Sequence, residues 1–227
     1  MKFMTALMAV VAVATPALAK KKDPVPPTPV VTPEPVATPD NLWHIQLSTG
    51  GEVVVQLRPD KAPHHVERIK QLTRAGFYDG LLFHRVIDGF MAQTGDPQGT
   101  GQGGSSLPDL KAEFNDLPHM RGTASMARAT EVDSANSQFF ITFMPVFRLD
   151  NKYTIFGRAV SGMNYVDAIE RGEPPANPAR IVKAYIESDG PNAAKVPLPV
   201  AAAPAPTVAP ATPAPVPAPA PATPPKQ

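Results

Sequence analysis

The sequence contains no cysteine among its 227 residues. The chain therefore has no disulfide and no cysteine that could carry a lipid anchor. An oxidising compartment is permitted by this composition but is not indicated by it. A folded part without disulfides must be large enough to bury its own core. The part of the chain outside the proline-rich segments described below, about 149 residues, is long enough to do so.

An excess of charge of one sign is also missing. The chain has 21 basic and 20 acidic residues, for a formal charge of +1. A basic surface of the kind that binds nucleic acid or another acidic polymer is not indicated. We expect no nucleic-acid partner.

A hydrophobic run long enough to cross a membrane is the third absence. The apolar run Phe3 to Ala14 is shorter than the ~20 residues that a transmembrane helix needs. It follows Lys2 and precedes Ala17-Leu18-Ala19, a small-x-small cleavage site. Residues 1–19 are therefore predicted to be a signal peptide, with an uncleaved anchor as the alternative. After cleavage we expect no membrane span and a periplasmic or secreted protein.

Proline, in contrast, is abundant, and its distribution divides the chain. Of the 30 prolines, seven fall in residues 20–40 and thirteen in residues 190–227. Such segments cannot form a packed core, because proline lacks a backbone donor and holds the chain near polyproline II. We predict a linker at 20–40, a domain at 41–189 and a disordered or polyproline-like tail at 190–227. A ligand for a proline-binding module is an alternative for the linker.

Within residues 41–189 the hydrophobic pattern is mainly that of strands. Alternation predicts a hairpin of residues 43–47 and 53–57, and apolar residues three apart predict a helix over 61–75. Further strands are predicted at 83–86, 90–94, 122–128, 137–143, 153–160 and 181–186, and a second helix from Met163 to Arg171. About eight strands with two helices predict a mainly β fold, a closed eight-stranded antiparallel barrel with helices over its ends.

Residues 83–104, FHRVIDGFMAQTGDPQGTGQGG, place one cation, Arg85, among strand-forming apolar residues. An arginine in such a setting needs a carbonyl or carboxylate for its five donors, and we expect a substrate to supply it. A bridge to Asp88 or Asp96 is the alternative. The glycines at 99, 101 and 104 spell GxGxxG, but no helix is predicted after them, so a dinucleotide site is disfavoured.

The segment 137–143, SQFFITF, alternates between two faces. Period two places Gln138, Phe140 and Thr142 on one face and the phenylalanines 139 and 143 with Ile141 on the other. We expect the second set in the core and the first on the wall of a groove.

Metal and nucleophilic chemistry are disfavoured by spacing. The histidines at 44, 64, 65, 84 and 119 show no metal-ligand pattern. Ser125 and Ser137 lack the GxSxG turn of hydrolases. We expect no metal and no cofactor.

Three segments, FHRVIDGFMAQTGD, SQFFI and LDNKYTIFG, closely resemble the cyclophilin-type peptidyl-prolyl cis-trans isomerases, in particular exported bacterial members. The resemblance covers about residues 42–188. It implies an eight-stranded barrel whose groove binds an X-Pro unit, with the catalytic arginine at Arg85. It also implies the remaining site residues: a proline pocket of Phe90, Met91, Phe140 and Leu149, backbone-binding Gln93 and Gln138, and further lining by Gly99, Ala127, Arg128 and Tyr153.

The chain departs from the best-known eukaryotic pattern at three places. It has Arg148 where those members carry tryptophan, Tyr153 where they carry histidine and Arg128 where they carry asparagine. These replacements leave the predicted arginine and pocket intact. They put in doubt cyclosporin binding and the residue preferred before proline.

The resulting hypothesis is a monomeric, cofactor-free isomerase that acts on proline-containing unfolded or flexible polypeptides and assists the folding of exported proteins. A chaperone module that holds proline segments without turnover is one alternative. An envelope spacer whose Pro-rich arms are the working part is another.

Overall fold

The structure is a computed structural model and describes residues 37–198. The predicted signal peptide, nearly all of the predicted linker and residues 199–227 of the predicted tail lie outside the described residues. No helix within 37–198 is long and apolar enough to cross a membrane.

Residues 37–198 form eight strands and two α-helices. In chain order these are β1 (Leu42–Leu47), β2 (Gly51–Leu57), α1 (Pro63–Arg74), β3 (Arg85–Ile87), β4 (Met91–Thr94), β5 (Thr123–Met126), β6 (Phe139–Thr142), β7 (Ile155–Ser161), α2 (Met163–Asp167) and β8 (Ile181–Ile186). Short 3-10 helices occupy Pro39–Asn41 and Phe147–Leu149. The predicted mainly β class, with eight antiparallel strands and two helices, is confirmed.

The eight strands form one sheet in the order β3-β4-β6-β5-β7-β2-β1-β8. Within 37–198 no ladder joins the two edge strands, β3 and β8. The segment before β3 meets the start of β8 only through the isolated bridge of Leu82 with Arg180 and three further backbone hydrogen bonds between residues 80–83 and 179–181. The predicted closed barrel is therefore wrong, and the sheet is an open half-barrel. The reason lies at β3, where Gly172 exchanges two 2.8 Å backbone hydrogen bonds with Val86 and so occupies the strand edge that closure would need.

The predicted hairpin of β1 and β2 is confirmed, and its alternation builds one wall of the core. Trp43 and Val55 face each other across the hairpin, and both are fully buried. The turn passes through Gly50, whose φ of +97° favours glycine. The Trp43 ring also lies 5.0 Å from the ring of Phe139 on β6. Strands that are far apart in the order of the sheet therefore contribute to one core.

The two helices cover apolar surface of the sheet. Helix α1 buries Val66, Ile69 and Leu72, as its spacing predicts, and packs against β8. Helix α2 was predicted to reach Arg171 but ends at Asp167. The Arg171 guanidinium donates to the carbonyl oxygens of Asp167 and Ile169, so a side chain binds the carbonyls at this helix end.

The first nine residues of the predicted tail, 190–198, contact the domain. The Val196 N–H donates to the Arg74 carbonyl at 2.9 Å, and the Lys195 ammonium lies 2.8 Å from an Asp79 carboxylate oxygen. Leu198 packs against the main core. The contacts of the chain with the domain thus continue beyond residue 189.

Candidate active site

Strand register brings Arg85 onto the same face of the sheet as the predicted pocket. Arg85 pairs with Gln93 across β3 and β4, and Gln93 pairs with Phe140 across β4 and β6. Directly paired residues point to the same side of a sheet. The next residue pair, Val86 with Ala92, belongs to the opposite face and is buried in the main core. The cation therefore does not point into the core.

A second, smaller apolar cluster lies on the face of Arg85, apart from the main core. Its buried members are Phe90, Met91, Ala127, Phe140, Val146, Leu149 and Tyr153, with Ile87 packed against them. We call this set the apolar pocket. The rings of Phe140 and Tyr153 meet edge to face, with centroids 5.8 Å apart. All six apolar and aromatic side chains that were predicted to line the site lie in it. Val146 and Ile87 were not predicted, because their neighbours in sequence do not distinguish a pocket from a core position.

Arg85 lies at the margin of the apolar pocket, and its side chain is 18% exposed. Its Nε donates to Glu173 Oε2 at 2.6 Å. Glu173 comes from the segment after α2, which the backbone bonds between Gly172 and Val86 hold against β3. Neither Asp88 nor Asp96, the alternatives considered from sequence, is the carboxylate at Nε; Glu173 was not predicted, since it is 88 residues away in the chain.

The two predicted glutamines are linked to each other and to the glycine-rich loop, residues 95–106. Gln93 Nε2 donates to Gln138 Oε1 at 2.8 Å. Gln138 Nε2 in turn donates to the carbonyl oxygens of Gly101 and Gly103 at 3.0 and 2.8 Å. Gln138 therefore fixes the loop beside the site, and the carbonyls that it binds were not among the predicted site residues.

The glycine-rich loop folds around the carboxylate of Asp96, which is almost fully buried. Backbone N–H groups of Gln98, Thr100 and Gly101 donate to this carboxylate at 2.7 to 2.8 Å. Burial alone would raise the pKa of Asp96, but these donors outweigh it and hold the pKa below its ordinary value of 3.8. The N–H groups that could cradle a phosphate are thus used by the protein's own carboxylate. Gly99 lies in the same loop with φ +67°, next to the Leu82 side chain.

Replacing Asp96 by alanine should destabilise the domain by about 3 kcal/mol, because several buried N–H groups lose a charged acceptor at once. Urea unfolding would measure the change. Asp133→Ala is a matched control, since that exposed residue accepts one backbone hydrogen bond, from Ala112. An equal loss in both variants would contradict an anchoring role for Asp96.

Two further arginines stack on rings of the apolar pocket. The Arg128 guanidinium carbon lies 4.9 Å from the centroid of the Tyr153 ring, and that of Arg148 lies 4.7 Å from the centroid of the Phe90 ring. Guanidinium groups at such distances are attracted to the ring face. Arg128 and Tyr153 are therefore in contact with each other, as well as being predicted site residues.

A buried polar group behind Phe140 was not predicted from the sequence. His119 Nδ1 lies 2.8 Å from Asp150 Oδ1, and His119 Nε2 lies 3.2 Å from Ser125 Oγ. The order serine, histidine, aspartate is that of a hydrolase triad, but the hydroxyl of Ser125 donates to the Thr154 carbonyl and the residue is fully buried. Because the His119 ring lies parallel to that of Phe140 at 6.2 Å, the group supports the pocket from behind.

Comparison with known proteins bears directly on this site. The family model described as cyclophilin-type peptidyl-prolyl cis-trans isomerase/CLD matches residues 44–186. The chain belongs to this family. The match spans every strand from β2 to β8 and all the residues of the site described above. Isomerase activity on peptidyl-prolyl bonds is accordingly the enzyme class of the chain.

Individual cyclophilins agree with the family match. A probable peptidyl-prolyl cis-trans isomerase of Brucella suis biovar 1 (strain 1330) is 47% identical over 169 residues, which are 67% of this chain and 86% of the relative. The isomerase ppi1 of Schizosaccharomyces pombe is 39% identical over 153 residues, covering 63% of this chain and 98% of the relative.

Solved cyclophilin structures share the fold. The crystal structure of a cyclophilin from Hirschia baltica matches with a TM-score of 0.63 and 30% identity, over 67% of this chain and 76% of that chain. A cyclophilin-type isomerase of Cryptosporidium parvum, crystallised in the presence of the dipeptide Ala-Pro, matches with a TM-score of 0.60 and 29% identity, over 64% of this chain and 98% of that chain.

Proposed function

We propose that Arg85 is the catalytic group of this isomerase and that the apolar pocket holds the proline ring. The observation that carries the proposal is the shared face: register places Arg85, Gln93 and Phe140 in one row across three strands. A cation, an amide and an aromatic ring thus lie side by side at the margin of the apolar pocket. A prolyl peptide presents a carbonyl, an amide nitrogen and an apolar ring over a similar span.

The chemistry to be accelerated is rotation about one bond, with no covalent step. Conjugation between the amide nitrogen and the carbonyl gives a barrier of about 18 to 20 kcal/mol, and exchange takes tens of seconds. In the twisted state conjugation is lost and the nitrogen lone pair becomes an acceptor. A fixed guanidinium beside that nitrogen stabilises the twisted state more than either planar state. An acceleration of about 10⁵ requires about 7 kcal/mol in all.

The other predicted residues have positioning roles in this proposal. Phe90, Met91 and Phe140 hold the proline ring, and Leu149 and Ala127 complete the apolar wall. Gln93 and Gln138 hold the flanking backbone, the latter with the glycine-rich loop of which Gly99 is a member. Immobilising both flanks leaves the X-Pro bond as the part that turns, and so reduces the entropy lost on reaching the twisted state.

We further propose proline-containing unfolded or flexible chains outside the cytoplasm as the substrates, and assistance to folding of exported proteins as the role. The Ala-Pro dipeptide present with the Cryptosporidium relative supports the substrate class. The features of residues 1–19, a lysine, an apolar run and Ala17-Leu18-Ala19, support export to the periplasm or medium. The protein needs no cofactor and acts as a monomer in this proposal. Fractionation of cells that express the full chain tests the location, and finding the protein in the cytoplasm would contradict it.

The proposal is tested by exchange NMR on the peptide Ala-Ala-Pro-Phe with the full chain at catalytic concentration. The cis and trans resonances should exchange far faster than in the free peptide, where exchange takes tens of seconds. A second measurement follows refolding of an unrelated protein whose slow phase is limited by an X-Pro bond. Absence of acceleration in both would reject the proposed function.

Glu173 should act as a positioning residue through its bond to Arg85 Nε. Replacing it by alanine removes one restraint on the guanidinium, so we expect kcat to fall about fivefold with little change in KM, the loss that one charge-assisted hydrogen bond of about 1 kcal/mol gives. Glu173→Gln keeps an acceptor and should retain more activity than the alanine variant. A rise in kcat for Glu173→Ala would show instead that the carboxylate restrains catalysis.

A further inference from the structure

One residue behind the apolar pocket, His119, is bound at both ends of a segment that carries part of the pocket wall. Its backbone carbonyl accepts the N–H of Val146 at 2.7 Å. Its backbone N–H and its ring Nδ1 both lie 2.8 Å from Asp150 Oδ1. Val146 and Leu149 belong to the apolar pocket, and Asp150 follows Leu149 directly. His119 therefore fixes residues 146–150 at their first and last positions.

The His119 ring also connects this segment to two strands of the site. It lies nearly parallel to the ring of Phe140 on β6, with an interplanar angle of 14° and centroids 6.2 Å apart. Its Nε2 lies 3.2 Å from Ser125 Oγ on β5. The residue is fully buried, so these contacts are made out of reach of solvent. One side chain thus links the 146–150 segment to the strand that presents Phe140 to the pocket.

The hydrogen bond between the ring and Asp150 has a defined direction. A carboxylate only accepts hydrogen bonds, so Nδ1 carries a proton and donates to Asp150 Oδ1. Burial lowers the pKa of His119 below its ordinary value of 6.5, although the neighbouring Asp150 acts in the opposite direction. At pH 7 the ring is accordingly neutral, with its one proton on Nδ1. A bond to a charged acceptor is stronger than one between two neutral groups.

We propose that His119 and Asp150 are positioning residues of the isomerase, which set the place of the pocket wall at Val146 and Leu149 relative to Phe140. The inference rests on the proposed function, since the wall that they position is part of the pocket that holds the proline ring. Both residues act through pocket side chains. Because the pocket holds the ring in the planar and the twisted states alike, a displaced wall weakens the binding of both and raises KM more than it lowers kcat.

Two substitutions of Asp150 separate its hydrogen bonds from its charge. For Asp150→Ala we expect KM for Ala-Ala-Pro-Phe to rise about five- to tenfold, as the loss of a hydrogen bond to a charged group gives, with kcat changed less than about twofold. Asp150→Asn keeps an oxygen that accepts the same two donors, so its KM should stay within about twofold of wild type. Both variants remove the charge, and their difference therefore reports the hydrogen bonds alone.

Asp79 offers a matched control outside the apolar pocket. Its side chain is 29% exposed, against 27% for Asp150. It accepts the backbone N–H of Ala184 at 2.9 Å and lies 2.8 Å from Lys195 Nζ. Asp79→Ala should lose stability as Asp150→Ala does, but its KM should equal that of wild type. Exchange NMR over a series of peptide concentrations gives KM and kcat, and urea unfolding shows how much of each variant is folded.

A substitution of His119 tests the same bond from its other side. His119→Phe keeps a ring against Phe140 but loses the Nδ1 donor, while Asp150 stays partly exposed and can bind water instead. We expect KM to rise by a factor similar to that of Asp150→Ala. This variant also keeps the inference testable if Asp150→Ala does not fold.

The outcomes are distinct for the two proposals. A wild-type KM in folded Asp150→Ala or in folded His119→Phe would overturn the inference alone. An equal rise in Asp150→Asn would also overturn it, because the charge would then be responsible, and so would an equal rise in Asp79→Ala, because a general loss of stability would suffice. Absence of turnover by the wild-type chain would instead reject the proposed function.

Discussion

Replacing Arg85 by alanine should lower kcat/KM for Ala-Ala-Pro-Phe about 100- to 1,000-fold, the usual cost of removing one donor aimed at charge that develops in a transition state. Most of the loss should appear in kcat, because the apolar pocket that binds the proline ring remains intact. Exchange NMR on the peptide measures the change, and the circular dichroism spectrum confirms the fold.

The same variant separates turnover from holding. If the protein were a chaperone module that only grips proline segments, Arg85→Ala would still assist refolding while peptide exchange slowed. On the isomerase proposal, both activities fall together. Arg85→Lys is an informative companion, since it keeps the charge and loses the planar fork. We expect it to recover little activity, and recovery close to wild type would contradict the need for a fixed guanidinium.

The second large effect is a loss of stability as the pH falls below 6.5. His65, His84 and His119 are buried, and burial lowers the pKa of each below its ordinary value of 6.5. The ring nitrogens of His84, and Nε2 of His65, have no hydrogen-bond partner within the described part of the chain. A proton on any of these groups would place a charge in a nearly water-free site.

Whether stability rises or falls with pH depends on which state, folded or unfolded, binds more protons. Unfolded histidines take up protons below pH 6.5, whereas the folded ones resist until their lowered pKa is reached. The stabilisation is therefore complete above pH 6.5 and is lost as the pH falls through the folded pKa values. Three such protons give a slope of at most about 4 kcal/mol per pH unit, and we expect the free energy of unfolding to fall steadily as the pH is lowered from 6.5.

Urea unfolding between pH 7 and pH 5 measures this loss. His84→Phe should reduce the slope of the free energy of unfolding against pH by about one third, because one of the three protons is no longer taken up on unfolding. A free energy of unfolding that is constant over this range would contradict the prediction. Any further loss from Asp96 and Glu113, whose pKa values lie below their ordinary 3.8 and 4.5, belongs to a lower pH range.

Much of the site follows from local pattern. Alternation along residues 137–143 separates Phe140 from Phe139 and Ile141, and the structure places the first in the apolar pocket and the other two in the main core. Side chains on a strand alternate by geometry whatever lies around them. The face of Arg85 follows in the same way once β3 and β4 are paired. The segments of strand and helix were predicted to within a few residues for the same reason.

Contacts between distant segments do not follow from local pattern. The open sheet depends on Gly172 occupying the edge of β3, and the bond at Arg85 Nε depends on Glu173 from the same segment. Each of these is a competition between partners that come together only on folding.

The sequence by itself determined the strand periodicity, the presence of one arginine among strand-forming residues and the division of apolar side chains between two faces. These properties depend on residue type and spacing, which act over a few positions along the chain. Only the tertiary structure decided which carboxylate meets Arg85, that Asp96 fills the glycine-rich loop and that two more arginines stack on the pocket rings. Those choices depend on which remote groups come within a few ångströms of each other, and that is set by packing of the whole sheet.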